Sequence, residues 1–461
     1  MDMPKLMSLV IMLSACGFPR PQDVSPGGND AAPPSDPGGE VKGCTQTTCR
    51  SDVLEVCDAA GTVEHTEQCD LGCSSDGGRC NELAPSNGLG TALDQAPEHS
   101  AITLPGGTFI DADSGVVTAG APIAVATTTV MQPGGPMIRV LLAKAWTIHD
   151  VTIRGASPVA FVASDEIEIR GVIDASADGD AGGPGALSCD PGAGAGGIAG
   201  PGKFERPVAG SSPGYPGFVW VINGHGGGGF GTPGGAGGQA VSDNPVGAAG
   251  VANGNAELVP LRGGCWGGGG TGSEFQSPPL HRGAGGGAIQ LVSGRGIHVA
   301  SGGGLHVGGG RGIAGALGTD AIPTTDPIYG PAGGGSGGGI LMEAPSLTVD
   351  DGAMLLAAGG GGGGYGACSP APDGGDAEPG APAAPGGACP ADVHPAGNGG
   401  AGATTAEGTP GGPSNISGTG SGGSGGGGLG RIRINTADGT YSAAPTALIR
   451  GATTTGMVGR R

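Results

Sequence analysis

Sulfur is the reactive element that this chain concentrates. Cys44, Cys49, Cys57, Cys69, Cys73 and Cys80 fall within 37 residues. Six thiols so close together either pair or hold a metal. Structural zinc sites use paired C-x₂-C knuckles, and these spacings lack them. Disulfides are therefore the expectation, with no metal. Six cysteines allow 15 connectivities, and spacing alone selects none of them. Two further bridges are candidates, Cys189 with Cys265 and Cys368 with Cys389. The second pair would close the loop SPAPDGGDAEPGAPAAPGGA. Cys16 is left over, which gives an even number for pairing.

The other residues that could do chemistry are scattered. Asp174, Asp178 and Asp180 follow an apolar run and could imitate a carbohydrate-acting carboxylate pair; solvated turn residues account for them too. Asp111 and Asp113, in DADSG, suggest a cation loop but lack the distal Glu of an EF-hand, so a turn is the plainer reading. His298 and His306 lie on the polar phase of successive strands, as a metal-binding pair or as exposed positions. Tyr215, Phe218, Trp220 and Trp266 stand among glycines, to stack on sugar rings or to anchor the chain. Glycine runs can cradle phosphate, but no GxxxxGK[ST] opens a helix here. No G-x-S-x-G has a supporting context. The calcium nonapeptide of repeat toxins is not sustained. No catalytic residue, cofactor or metal ligand is assigned. The formal charge of −20 argues against nucleic acid, which needs basic patches, and only 4 Lys weaken catalysis on anionic substrates.

The N-terminus points to export. Leu6–Leu13 is apolar but too short for a membrane span. It runs into Leu13-Ser14-Ala15-Cys16, which resembles the bacterial lipobox. That resemblance implies a signal peptide over 1–15 and lipid attachment at Cys16, with Gly17 implying the outer membrane. The expected partner is thus a membrane, through the anchor. Residues 16–43, rich in Pro and Gly, read as a tether. Residues 44–80 form the disulfide-rich module, with a hairpin around Asp58–Gly61. Residues 81–101 read as a second linker.

Beyond them, the chain must build something that positions its few functional groups. PVAFVASDEIEIRGVIDAS, at Pro158–Ser176, returns as Ala288–Val307, as Ile340–Ala358 and, shortened to GRIRI, at Gly430–Ile434. Ile167, Ile169, Ile173 and Ala175 share one face and Glu166, Glu168, Arg170 and Asp174 the other, the alternation of a half-buried strand. Such units bury their apolar faces only by stacking. The fold class is all-β: irregular β-solenoid or β-helix rungs, the N-terminal ones over 102–176. Over 177–461, rungs alternate with long glycine-rich insertions. Phe109, Trp146 and Phe161 are expected to cap or fill the first rungs. With 108 Gly and 39 Pro, the insertions carry few aliphatic side chains to offset the cost of ordering backbone. Two outcomes stay open, mobile loops or extended polyglycine-II-like segments joined by backbone hydrogen bonds.

Lipobox, Pro-rich tether, Cys module and then VTIRG, VASDEIEIRGVIDAS, GGGAIQLVSG and GLGRIRINTADG together resemble a family of Gly-rich envelope lipoproteins in myxobacteria, often labelled PE-PGRS-like. The resemblance implies a surface lipoprotein with a structural or adhesive role, contacting matrix, glycan or other cells, and supplies no catalytic residues. The alternative is a β-helix enzyme acting on polysaccharide.

Overall fold

The computed structural model describes residues 44, 46–50, 52–186, 196, 203–205, 219–221, 223–240, 245–269, 282–315, 330–365, 372–388, 397–413 and 422–461. The described chain is nearly all strand and extended segment, with one short helix, Gly90–Gln95, followed by a single 3₁₀ turn.

Each copy of the repeated unit is a turn of three strands. In the first full copy these are Val159–Ala163, Ile167–Ile169 and Val172–Asp174. The next are Ala288–Ser293, Gly296–Val299 and Gly304–His306, then Gly339–Glu343, Ser346–Val349 and Met354–Leu356. Met137–Arg154 supplies an earlier turn. The GRIRI segment is not truncated; it continues through Ser442–Ala443 and Leu448–Arg450. Corresponding strands pair in parallel, so three sheets, named first, second and third after the strand of each turn that they collect, run side by side with seven, six and seven strands. Register is strict. Ile167 pairs with Ile297 and Ile297 with Leu347, while Leu141, Phe161, Leu291, Met342 and Ile434 form one continuous column.

The inner faces of the three sheets make one apolar core. Ile167, Ile169, Ile173, Val299 and Leu355 have no exposed surface. Trp146 and Phe161 fill its early part, edge to face with ring centroids 5.5 Å apart. Phe109, in contrast, is 42% exposed: its neighbour Ile110 takes the inward position.

The central strands of the first sheet are buried on both faces, which is why VAFVA reads as a continuous apolar run and AIQLV is broken only by the hydrogen-bonded Gln290. The sheet's outer face carries a second cluster, in which Leu89, Leu93 and Ala96 pack on Ile138, Val140, Val162 and Leu341. The stretch read as a linker over 81–101 is therefore folded against the sheet. Polar groups fix it there. Glu343, 1% exposed, accepts hydrogen bonds from the Ser86 N–H and hydroxyl, from Gln290 Nε2 at 2.7 Å and from Asn435 Nδ2 at 3.2 Å.

The glycine tracts leave the stack where the third strand of one turn should pass to the first strand of the next. Val307–Ala314 and Ala357–Tyr365 run outward, and 332–338 and 422–430 return. The described tracts are buried. Their N–H groups address three neighbours in rotation. Along one tract, Gly333 donates to Gly268, Gly334 to Gly425 and Gly335 to Gly310; then Ser336 donates to Cys265, Gly337 to Gly428 and Gly338 to Val307. The partner tract thus repeats every third residue. Glycine is required by closeness: a Cβ on Gly335 would overlap the carbonyl oxygen of Ala284. The few side chains inside replace backbone partners. Ser336 Oγ accepts from Cys265 N at 2.8 Å, and Ser424 Oγ accepts from His225 N at 3.0 Å.

In the N-terminal module Cys44 pairs with Cys57, Cys49 with Cys73 and Cys69 with Cys80. These bridges hold a three-stranded antiparallel sheet whose hairpin turns at the expected Asp58–Gly61.

Candidate functional site

Two groups of ionisable side chains line the outside of the stack. The first is a row on the second sheet, where register sets Glu168, His298 and Thr348 side by side. Arg170 Nε lies 2.9 Å from Glu168 Oε1, His298 Nδ1 lies 3.9 Å from the same oxygen, and His298 Nε2 lies 2.9 Å from Asp350 Oδ2. All of these side chains are partly solvated, so the row is a charge ladder of small energetic weight, about 0–1 kcal/mol per pair.

The second group sits at the seam where glycine tracts leave the third sheet. Asp174 receives His306 Nδ1 at 3.1 Å, Ser176 Oγ at 2.6 Å and Arg154 Nη2 at 3.0 Å. Burial alone would raise its pKa. The hydrogen bonds from His306 and Ser176, with the Arg154 charge, outweigh burial and hold the carboxyl well below the usual carboxylate range. His306 is buried, and its Nε2 donates to the Ala377 carbonyl at 2.7 Å. The neighbouring Asp376 accepts from the backbone N–H groups of Gly179 and Arg311 and pairs with the Arg311 guanidinium. Asp373 and Asp178 flank the same guanidinium at 3.8 and 3.9 Å. Asp376 is the main cause of the raised Arg311 pKa. Arg154, Arg311, Asp373 and Asp376 were invisible as a group in the sequence, because three separate tracts bring them together.

This geometry decides several sequence expectations. With its pKa held low by His306, Ser176 and Arg154, Asp174 is poorly suited to be the proton donor that a glycosidic carboxylate pair needs. Asp174 joins His306 and Arg154 at the strand ends, and Asp178 lies exposed 3.9 Å from the Arg311 guanidinium. His298 and His306 do not converge, since each lies on a different sheet and meets its own carboxylate. Asp111 and Asp113 are turn residues whose oxygens accept backbone N–H groups, among them Ala156 N on Asp113 at 2.9 Å. Trp266 lies under the Arg282 guanidinium at 4.5 Å, and the backbone of Trp220 is opposite that of Phe204 in a two-stranded antiparallel segment. Tyr215 and Phe218 lie outside the described residues.

The sulfurs follow the same logic. Cys49, Cys69 and Cys73 lie within 4.8 Å of one another, the spacing of a metal site. All three are consumed by bridges, and the 3.3 Å approach of Cys49 to Cys69 is contact between two disulfides. Cys265 is fully buried and disulfide-bonded. Cys16, Cys189, Cys368 and Cys389 lie outside the described residues. Among the described residues, no helix is long and apolar enough to cross a membrane.

One cleft, of about 950 Å³, separates the Cys module from the turns that join the first and second sheets. Leu54, Leu71 and Pro345 line it, together with the charged side chains of Asp94, Arg295 and Arg461. Its size suits a small ligand or a short chain segment. Arg461 pairs with Asp94 and Glu82, and Arg295 with Asp165, so these charges are balanced within the fold.

No protein-family model matches the chain, and no curated protein or solved structure matches it.

Proposed function

We propose that this chain is a surface-exposed lipoprotein of the outer membrane, a non-catalytic scaffold with an adhesive role, of the Gly-rich envelope type. On this reading the three parallel sheets are a β-solenoid, and the glycine tracts are a polyglycine-II-like bundle grown from one of its corners. The observation that carries the reading is the rotation of tract N–H donors through three neighbours, repeated every third residue. Such a lattice spends its backbone groups on holding shape, and it converts low-complexity sequence into a rigid projection. The three disulfides add to this, because they persist in oxidising compartments outside the cytoplasm. A lipid at Cys16 and the Pro-rich tether would hold the projection off the membrane, where its solvated charge ladder and the cleft beside the Cys module face glycan or neighbouring cells.

The test is a glycan array with the immobilised full chain, coupled to a product assay on each retained glycan. Retention without product supports adhesion. Release of shortened saccharide would establish the polysaccharide-enzyme alternative instead, and no retention at all would leave the adhesive role without support. Mass spectrometry of the mature N-terminus checks the anchor: an unmodified Cys16 within a longer chain rules it out.

A further inference from the structure

The two ends of the stack carry nearly the same strand. At the N-terminal end the first sheet closes with Ala126–Met131, ATTTVM, and at the C-terminal end with Ala452–Met457, ATTTGM. Both strands are at the sheet's edges, and both have the same burial alternation. Register shows what that alternation means. Thr127 continues the column of Leu141 and Phe161, and Thr455 continues the same column beyond Ile434. Thr129 and Thr453 end the neighbouring column in the same way. The core therefore runs out at each end into Thr, Thr and then Met. Met131 is 72% exposed and Met457 58%, although both occupy the inward phase.

The ends differ in direction and in charge. Ala126–Met131 runs antiparallel to its neighbour, whereas Ala452–Met457 runs parallel to its own. Laid end to end in the same orientation, two copies would bring these strands together antiparallel. Donors are available for this: Ala452 N and Val458 N point inward to Gly430 and Thr436, so alternation turns the N–H groups of Thr453, Thr455 and Met457 to the free edge. Arg433 reaches the Thr455 carbonyl at 2.8 Å across the sheet's outer face. The C-terminal end is basic in an acidic molecule. Residues 430–461 hold five Arg and one Asp; Arg461 is already paired with Asp94 and Glu82, so the other four Arg and Asp438 leave a formal +3 in a chain of −20. Arg433, Arg450 and Arg460 donate to backbone carbonyls. The opposing end is mildly acidic: Asp111 and Asp113 are the charges in residues 100–136, and Arg139, beside Thr129 in register, offsets one of them to leave a formal −1.

We infer that the C-terminal end of one copy docks on the N-terminal end of a second copy, head to tail, by pairing Ala452–Met457 with Ala126–Met131. The occupant is another copy because the tail offers three parallel strand edges at rung spacing, which another such stack matches, and because the charges of the two ends complement each other. The contact does not close on itself, so it propagates into open-ended rows. Exposed sheet edges invite such pairing unless charge or Pro blocks them; here the edge residues are Thr and Met, and pairing has only to displace the Arg433 guanidinium from the Thr455 carbonyl. This inference rests on the reading of the three sheets as one stack.

Light scattering of the full chain across a concentration series tests it. The expected result is a ladder of growing species up to about 100 µM that shortens in ~0.5 M salt. Met131→Lys blocks the head and Met457→Lys the tail, and both positions are exposed enough to leave the fold unchanged by circular dichroism. Each variant alone should self-associate at least about tenfold more weakly. Mixed together, they should form a heterodimer and stop there, since each retains one intact end. A monomer at all concentrations overturns the proposal. So does loss of association in Met457→Lys with Met131→Lys unaffected, which would mark a tail-to-tail dimer. Failure here leaves the stack itself to be judged by the core substitutions below.

Discussion

Adjacent positions on one strand differ most in what they tolerate. Ile297 is 2% exposed within the core, and His298 beside it is partly solvated between Glu168 and Asp350. Ile297→Asp leaves an unpaired charge among apolar side chains and should cost more than about 4 kcal/mol, whereas His298→Asn should cost under about 1 kcal/mol. Equal protease resistance of the two variants would refute the two-face assignment. A second residue gives the bundle a pH dependence. His225 is fully buried, and burial pushes its pKa from 6.5 down to about 4. The folded chain then keeps the imidazole neutral where the unfolded chain protonates it. Stability is complete above about pH 6.5 and falls as pH drops toward about 4, by about 3 kcal/mol at about 1.4 kcal/mol per unit. Urea melts at graded pH should show this, and His225→Gln should flatten the curve; an unchanged slope would mean that His225 is not the titrating group.

At the scale of elements, strand alternation was legible and glycine order was not. Ile167, Ile169, Ile297, Val299, Leu347 and Val349 are all inward, as alternation predicts. The Gly tracts gave no such signal, because their partners lie in remote tracts and no side chain marks the pairing. The docking of Leu89 and Leu93 was hidden for a related reason: a stretch with one short helix and several Gly and Pro looks like a spacer until a two-sided sheet is there to receive it. Gly335→Ala should disrupt the bundle, since its Cβ would meet the Ala284 carbonyl with backbone on both sides, at a cost of about 3 kcal/mol or more. Gly106→Ala, exposed with only Asp150 at 3.8 Å, should be neutral within about 0.5 kcal/mol. Hydrogen exchange of the tract amides would score the pair, and equal protection would disprove close packing. The Cys module should unfold on reduction, with about 2–5 kcal/mol lost per bridge, and be indifferent to chelators. Stoichiometric zinc in that module would contradict the bridges.

Over the whole molecule, sheet strands and glycine tracts alternate along the chain. A boundary at residue 176 divides the sequence but not the sheets, since Val159–Ala163 pairs with Ala288–Ser293 across the longest glycine insertion. Composition could give the acidic balance, but not the seam where Arg311 gathers Asp178, Asp373 and Asp376 from distant segments. The threefold rotation of donors in the glycine tracts has a mechanical consequence. A tract tugged along its length loads bonds to three neighbours at once, in shear, and each neighbour shares that load with others. The bundle should therefore behave as a strut, yielding in one cooperative rupture under force rather than peeling tract by tract. Single-molecule stretching between handles at the two ends of the Val307–Gly338 excursion would register a single event, and a staircase of small releases would show that the tracts bear tension separately.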